Sequence, residues 1–160
     1  MHIRPFVDAD LPALVELTVQ TFRPFFESYV APLFGEDLFR LHHGHWQQDY
    51  RDELPTLHSP AAGRRIAVAE IGGTIAGLIV WNTGERSAHG RIHLLAVSAP
   101  YRRQQVGKRL CVHAIEEMKK NGVEVVEIGT GEDAFHASAR ALYEDIGFIK
   151  VPIAGYIKHV

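Results

Sequence analysis

The chain has 160 residues, a formal net charge of −2 and 46% hydrophobic residues, enough apolar material for one core, so residues 1–160 are expected to form a single domain. The charge argues against general nucleic-acid binding, which needs a strongly basic surface, and no apolar run approaches the roughly 18 residues of a membrane span. Cys111 is the one cysteine, which excludes an intrachain disulfide, and the N-terminus Met-His-Ile-Arg-Pro-Phe lacks a secretory apolar segment, so a cytoplasmic protein is expected.

His2 to Val7 reads as a short strand. Asp8 or Asp10 can cap a helix whose Leu11, Leu14, Leu17 or Thr18, and Phe22 share one face, with Pro24 expected to end it. Phe25 to Tyr50 is rich in aromatics, and a second helix is expected over about Glu36–Asp49. Arg51 to Gly63 reads as a loop. Ile66–Ile71 and Thr74–Trp81 read as strands joined by a Gly72-Gly73 hairpin turn. Asn82–Gly90 is a polar turn and Arg91–Val97 a third strand. From Val106 to Lys120 the residues Val106, Leu110, Cys111, Ala114, Ile115 and Met118 form one helical stripe, stopped by Asn121-Gly122. A strand over Val123–Ile128 follows, then a loop over Gly129–Asp133, a helix over Ala137–Ile146, and two short strands over Phe148–Val151 and Ala154–Lys158. The order βααβββαβαββ predicts an α/β fold. Its sheet is mostly antiparallel with one parallel pair made by the crossover helix, and its helices cover both faces.

The segment from Val97 to Lys108 is the main functional signal. Strand, basic loop and helix start follow one another there, and the first amides of a helix are unpaired and lie at the positive end of its dipole. Arg102, Arg103 and Lys108 add positive charge, so a pyrophosphate-bearing ligand is expected at this point. His42-His43-Gly44-His45 has no cysteine or matched carboxylates to complete a metal site, and no metal is expected. Cys111 falls on the apolar stripe of its helix and is expected to be a buried, inert thiol.

Two blocks resemble the GNAT superfamily of acetyl-CoA-dependent N-acetyltransferases. The first is Leu95-Ala96-Val97 with Arg102-Arg103-Gln104-Gln105-Val106-Gly107. It is similar to the family's phosphate loop Arg/Gln-x-x-Gly-x-Gly/Ala, with Gln105 in place of the first Gly. The second, Ala139 to Phe148, is similar to a family ending that contains Leu-Tyr-Glu-x-x-Gly-Phe, with His136 where the family has Asn. The resemblance implies a GNAT-like fold that moves the acetyl group of acetyl-CoA to a primary amine by direct attack. The amides of Arg103 to Lys108 would hold the pyrophosphate, and Leu95, Ala96 and Val97 would offer a strand edge to the pantetheine arm. His136 would contact the same arm, and Tyr143 would act as the acid. His93, on the strand before the loop, is the candidate base, because an imidazole titrates near neutral pH. Strand alternation would put it on the face of Leu95 and Val97. Glu70, Glu127 and bulk water are the other candidates. The partner implied is a small-molecule or peptide amine; antibiotic, polyamine, arylalkylamine, amino acid and protein N-terminus all stay open. Homodimers are common in the family, although no patch in the sequence identifies an interface. A non-catalytic acyl-CoA-binding regulatory domain is the alternative, because Gln105 and His136 depart from the family pattern.

Overall fold

Gly72 and Gly73 adopt φ of +57° and +78°, the left-handed pair that a tight hairpin needs, and they fold β2 (Arg64–Ile71) antiparallel onto β3 (Thr74–Thr83). A computed structural model describes residues 1–57, 63–83 and 88–158. The expected loop over Arg51–Gly63 lies outside the described residues at 58–62, and its start is helical instead, Arg51–Glu53 ending a helix and Leu54–Thr56 forming a 3-10 turn. The expected polar turn over Asn82–Gly90 lies outside them at 84–87, and its ends are strand. β1 (His2–Pro5) pairs with the outer edge of β2, and β4 (His89–Val97) with the other side of β3, both antiparallel. The crossover helix α5 (Val106–Lys120) then returns the chain so that β5 (Val125–Ile128) lies parallel to β4. The sheet order is β1-β2-β3-β4-β5.

Each face of the sheet is closed by its own core, as an apolar sheet face requires. On one face α5 buries Val106, Leu110, Cys111, Ala114 and Met118 against Ala67, Ala69, Ile79, Trp81 and Ile92. On the other, α1 (Leu11–Phe25) sets Leu14 and Leu17 against Val68, Leu78, Val80 and Ala96. The expected α/β architecture with helices on both faces is therefore present. β1 is anchored through Arg4, whose guanidinium donates to Asp10 at 2.7 and 2.8 Å and to Glu70 at 2.9 Å.

Several elements depart from the sequence expectation. Pro24 does not end the first helix: α1 runs past it to Phe25 and widens into a π turn over Phe26–Val30, then a short α2 (Ala31–Phe34). The helix expected over Glu36–Asp49 is two helices, α3 (Glu36–His43) and α4 (Trp46–Glu53), broken at Gly44, a poor helix former. Trp46 then stacks on Phe26, ring centroids 4.6 Å apart, in a third cluster with Val19 and Val30. The last helix is α6 (Ala137–Asp145). The two strands expected over Phe148–Val151 and Ala154–Lys158 are absent. Their residues have strand-like apolar alternation, but none of the described residues pairs with them, and Ile149, Val151, Ile153 and Tyr156 stay 69–96% exposed. Periodicity marks a segment that could pair; it cannot supply the partner.

Candidate active site

β4 and β5 are hydrogen-bonded only from His89–Ile92 to Val125–Ile128. Past Ile92 the two strands part, and the edge of β4 from His93 to Val97 is left unpaired on that side among the described residues. A cleft of about 600 Å³ opens at the split, a size suited to a sizeable organic ligand. It brings together Tyr143, His93, Leu95, Val97, Arg102, Arg103, Gln105, Val106, Gly107, Lys108 and His136. Ala96 and Gln104 do not line it. Ala96 points into the core under α1, and the Gln104 side-chain amide donates to the Pro100 carbonyl at 2.9 Å.

The loop at the head of α5 is built by two left-handed residues that are not glycine. Arg103 and Gln105 both have φ of +62°. Each such residue costs on the order of 1 kcal/mol, and left-handed backbone of this kind is what anion-binding concavities are built from. Arg109 N–H bonds the Gln105 carbonyl at 3.0 Å. The preceding amides of Val106, Gly107 and Lys108 have no acceptor within the helix. Gln105 thus adopts the conformation that the glycine of the similar loop would take without strain. Lys108 is less free than the sequence suggests: its ammonium is paired with Asp145 on α6 at 2.7 Å. Arg102 donates through Nε to the Val97 carbonyl at 3.2 Å, tying the loop to the end of β4.

His93 reaches the cleft by a route that alternation does not give. The register opposite β3 steps from Leu94↔Val80 to Ile92↔Trp81, so His93 is the extra residue of a β-bulge. Ile92, Leu95 and Val97 pack on the α5 side and Leu94 on the α1 side. The expectation that His93 shares the face of Leu95 and Val97 is thereby corrected. Its ring is exposed and bonds Asn82 Oδ1 at 2.7 Å. Lost hydration, then the charges of Arg64 and Arg91, hold its pKa below the ordinary value, so the imidazole is neutral at neutral pH. Of the other candidate bases, Glu70 is held by Arg4 on the far side of the sheet and does not line the cleft, and neither does Glu127.

Tyr143 lies on α6 with its ring 6.0 Å from Phe148. Burial, then the nearby Cys111, raises its pKa above the ordinary phenol value, so it keeps its proton. Cys111 is fully buried and its thiol is pushed up to about 12 by burial. His136 sits at the start of α6, held by Asp133, whose carboxylate takes the ring Nδ1 at 2.7 Å and the backbone N–H at 3.0 Å. Burial pushes the Asp133 carboxyl up, but the bonds and charge of His136 outweigh it and leave it below its ordinary range. Arg140 fixes this turn by donating to the carbonyls of Gly131 and Asp133.

Most aromatics from Phe22 to Trp46 are expected in the core, and the resemblance implies that some of that region line the acceptor pocket and contact an apolar or aromatic amine, with no single residue picked out. Phe22, Tyr50 and Phe135 line the cleft from α1, α4 and the turn before α6. Their signal was the density of aromatics after Phe22, which core packing explains equally well. Asp133 was also missed, although Asp-x-x-His before a helix marks its spacing. No group of three or more metal-ligating side chains gathers among the described residues, and no described helix is long and apolar enough to cross a membrane.

A parallel strand pair that splays over a cleft, with a basic loop at the head of the crossover helix, suits an extended ligand that ends in an anion. Residues 22–148 match the model of the acetyltransferase (GNAT) family. Two curated proteins of Bacillus subtilis are similar in part. The uncharacterized N-acetyltransferase YsnE is 42% identical over 60 residues, 38% of this chain and 40% of that protein. The uncharacterized N-acetyltransferase YvbK is 39% identical over 54 residues, 34% of each. The matched segments thus span well under half the length of these relatives. Among solved structures, an aminoglycoside antibiotic 6′-N-acetyltransferase from Acinetobacter haemolyticus superposes with a TM-score of 0.70 at 15% identity, covering 100% of this chain and 99% of that one. A ribosomal-protein-alanine N-acetyltransferase from Brucella melitensis gives 0.64 at 24% identity, covering 95% and 86%. At these identities the likeness is one of fold. The chain belongs to the GNAT family of acetyltransferases.

Proposed function

We propose that the protein transfers the acetyl group of acetyl-CoA to a primary amine. The observation that carries this reading is the edge of β4 from His93 to Val97 that β5 leaves unpaired, followed after a 3-10 turn over Ala99–Tyr101 by the left-handed loop at Arg103 and Gln105. An extended arm laid along that edge finds main-chain partners, and a pyrophosphate at its end finds the amides of Arg103 to Lys108, with Arg102 and Arg103 at hand. His136, on the opposite wall, would border the same arm.

In the reaction the amine nitrogen forms a bond to the acetyl carbon while the carbon–sulfur bond breaks. A backbone N–H near Val97 would polarise the carbonyl oxygen. His93, neutral at working pH, accepts the proton that the amine must lose. Tyr143, with its raised pKa, is a poor donor of a whole proton to a thiolate, whose conjugate acid has a pKa of about 8.5. Its role is to donate a hydrogen bond to the departing sulfur.

The test is release of free thiol from acetyl-CoA across amine classes. Release above the hydrolysis rate with at least one primary amine is expected. Tight acetyl-CoA binding with no amine-dependent release would favour a regulatory acyl-CoA-binding domain instead.

A further inference from the structure

We propose that the acceptor end of this cleft selects an amine carried on an aromatic or flat apolar body with a single positive charge, and rejects polycationic amines. This rests on reading the cleft as an N-acetyltransferase site.

Three rings from three separate segments form one wall. Phe22 stacks on Tyr50 with centroids 5.5 Å apart and planes at 19°, and lies 6.3 Å from Phe135. Behind them Phe25 packs on Phe135 at 5.6 Å and on His136 at 4.7 Å. The wall is fixed in advance, because Asp133 holds His136 and Arg140 pins the turn that carries Phe135. Phe22, Tyr50 and Phe135 remain part-exposed toward the cleft rather than sealed in the core. Such a surface gains most by stacking against another flat apolar body.

The charge pattern points the same way. Among the described residues lining the cleft there is no Asp or Glu. Two acids lie close to the wall without lining the cleft: the Asp133 side chain is 8% exposed and engaged by the His136 ring and amide, and Glu53 lies near enough for its charge to act on Tyr50. One ammonium can rest against ring faces before His93 takes its proton. Each further ammonium would give up hydration with no carboxylate to replace it. It would also meet the positive field of Arg64 and Arg91 at His93.

The experiment compares steady-state kcat/KM, with acetyl-CoA saturating, for 2-phenylethylamine, spermidine and kanamycin. The aromatic amine is expected to exceed both polycations by at least roughly tenfold. Phe135→Ala should raise its KM several-fold while leaving the KM of acetyl-CoA unchanged. Equal or greater use of spermidine or kanamycin, or an unchanged aromatic KM in Phe135→Ala, overturns the proposal. Should no amine release thiol, the transfer reading fails by itself. Calorimetric binding of 2-phenylethylamine against spermidine to the CoA-loaded protein then decides the subsite: preference for the aromatic amine supports it, and preference for spermidine or no binding of either overturns it.

Discussion

His93 Nε2 lies 2.7 Å from Asn82 Oδ1, across the bulge that sets this histidine apart from the alternation of β4. The amide oxygen accepts, so Nε2 carries the proton and Nδ1 keeps the free lone pair. Lost hydration, Arg64 and Arg91 hold the pKa below the ordinary His value of about 6.5. The neutral form is the one that accepts a proton. kcat/KM should therefore be on its plateau at pH 7 and fall as pH drops through this lowered pKa. Asn82→Asp puts a carboxylate beside the ring and favours the imidazolium, moving the acid limb up by about one pH unit. A pH–rate profile of the two proteins checks this; an unmoved limb removes His93 from the mechanism.

Tyr143→Phe keeps the ring packed beside Phe148 and removes only the phenol oxygen. Loss of the hydrogen bond to the leaving sulfur should lower kcat by about 10²-fold with little change in the KM of acetyl-CoA. Steady-state kinetics on both substrates measure the split, and an unchanged kcat would take Tyr143 out of the reaction.

Gln105 holds its left-handed φ of +62° without the freedom of glycine. Gln105→Gly should leave stability within about 1 kcal/mol, strain relief being offset by chain entropy. Gln105→Val forces a β-branched residue into the same region, where it is a true outlier. The loop should rearrange and acetyl-CoA affinity fall by about tenfold or more, roughly one lost hydrogen bond to a charged group. Calorimetric titration with CoA reads both variants.

Asp10 is 7% exposed and takes two bonds from Arg4 and one from the Val7 amide at 3.0 Å. Asp10→Ala should cost roughly 2–3 kcal/mol, toward the lower end for a buried pair because Arg4 keeps Glu70. The bond from Arg4 lowers the Asp10 pKa, against desolvation and helped by Val7. A lowered folded pKa contributes stability that is complete above the unfolded value of about 3.9 and is lost as pH falls through the folded one. The gap between wild type and variant in urea melts should therefore close below about pH 4.

The sequence by itself determined the elements whose signals are local. The Gly72-Gly73 hairpin, the apolar stripe of α5 and the Arg102–Gly107 loop all follow from residues within one turn or one strand of each other. So did the pairing of the two family blocks, which named the fold. What depends on distant partners was decided only by the tertiary structure. The register of β4 against β3 turned His93 off the expected face, and Asp145, remote in sequence, took up the charge of Lys108. The apolar alternation after Phe148 found no neighbouring strand among the described residues. The aromatic wall exists because three segments bring Phe22, Tyr50 and Phe135 to one place. Helix caps, turns and periodicity are set by the backbone's own short-range geometry. Strand register, ion pairs and cleft walls are set by which surfaces the core brings together.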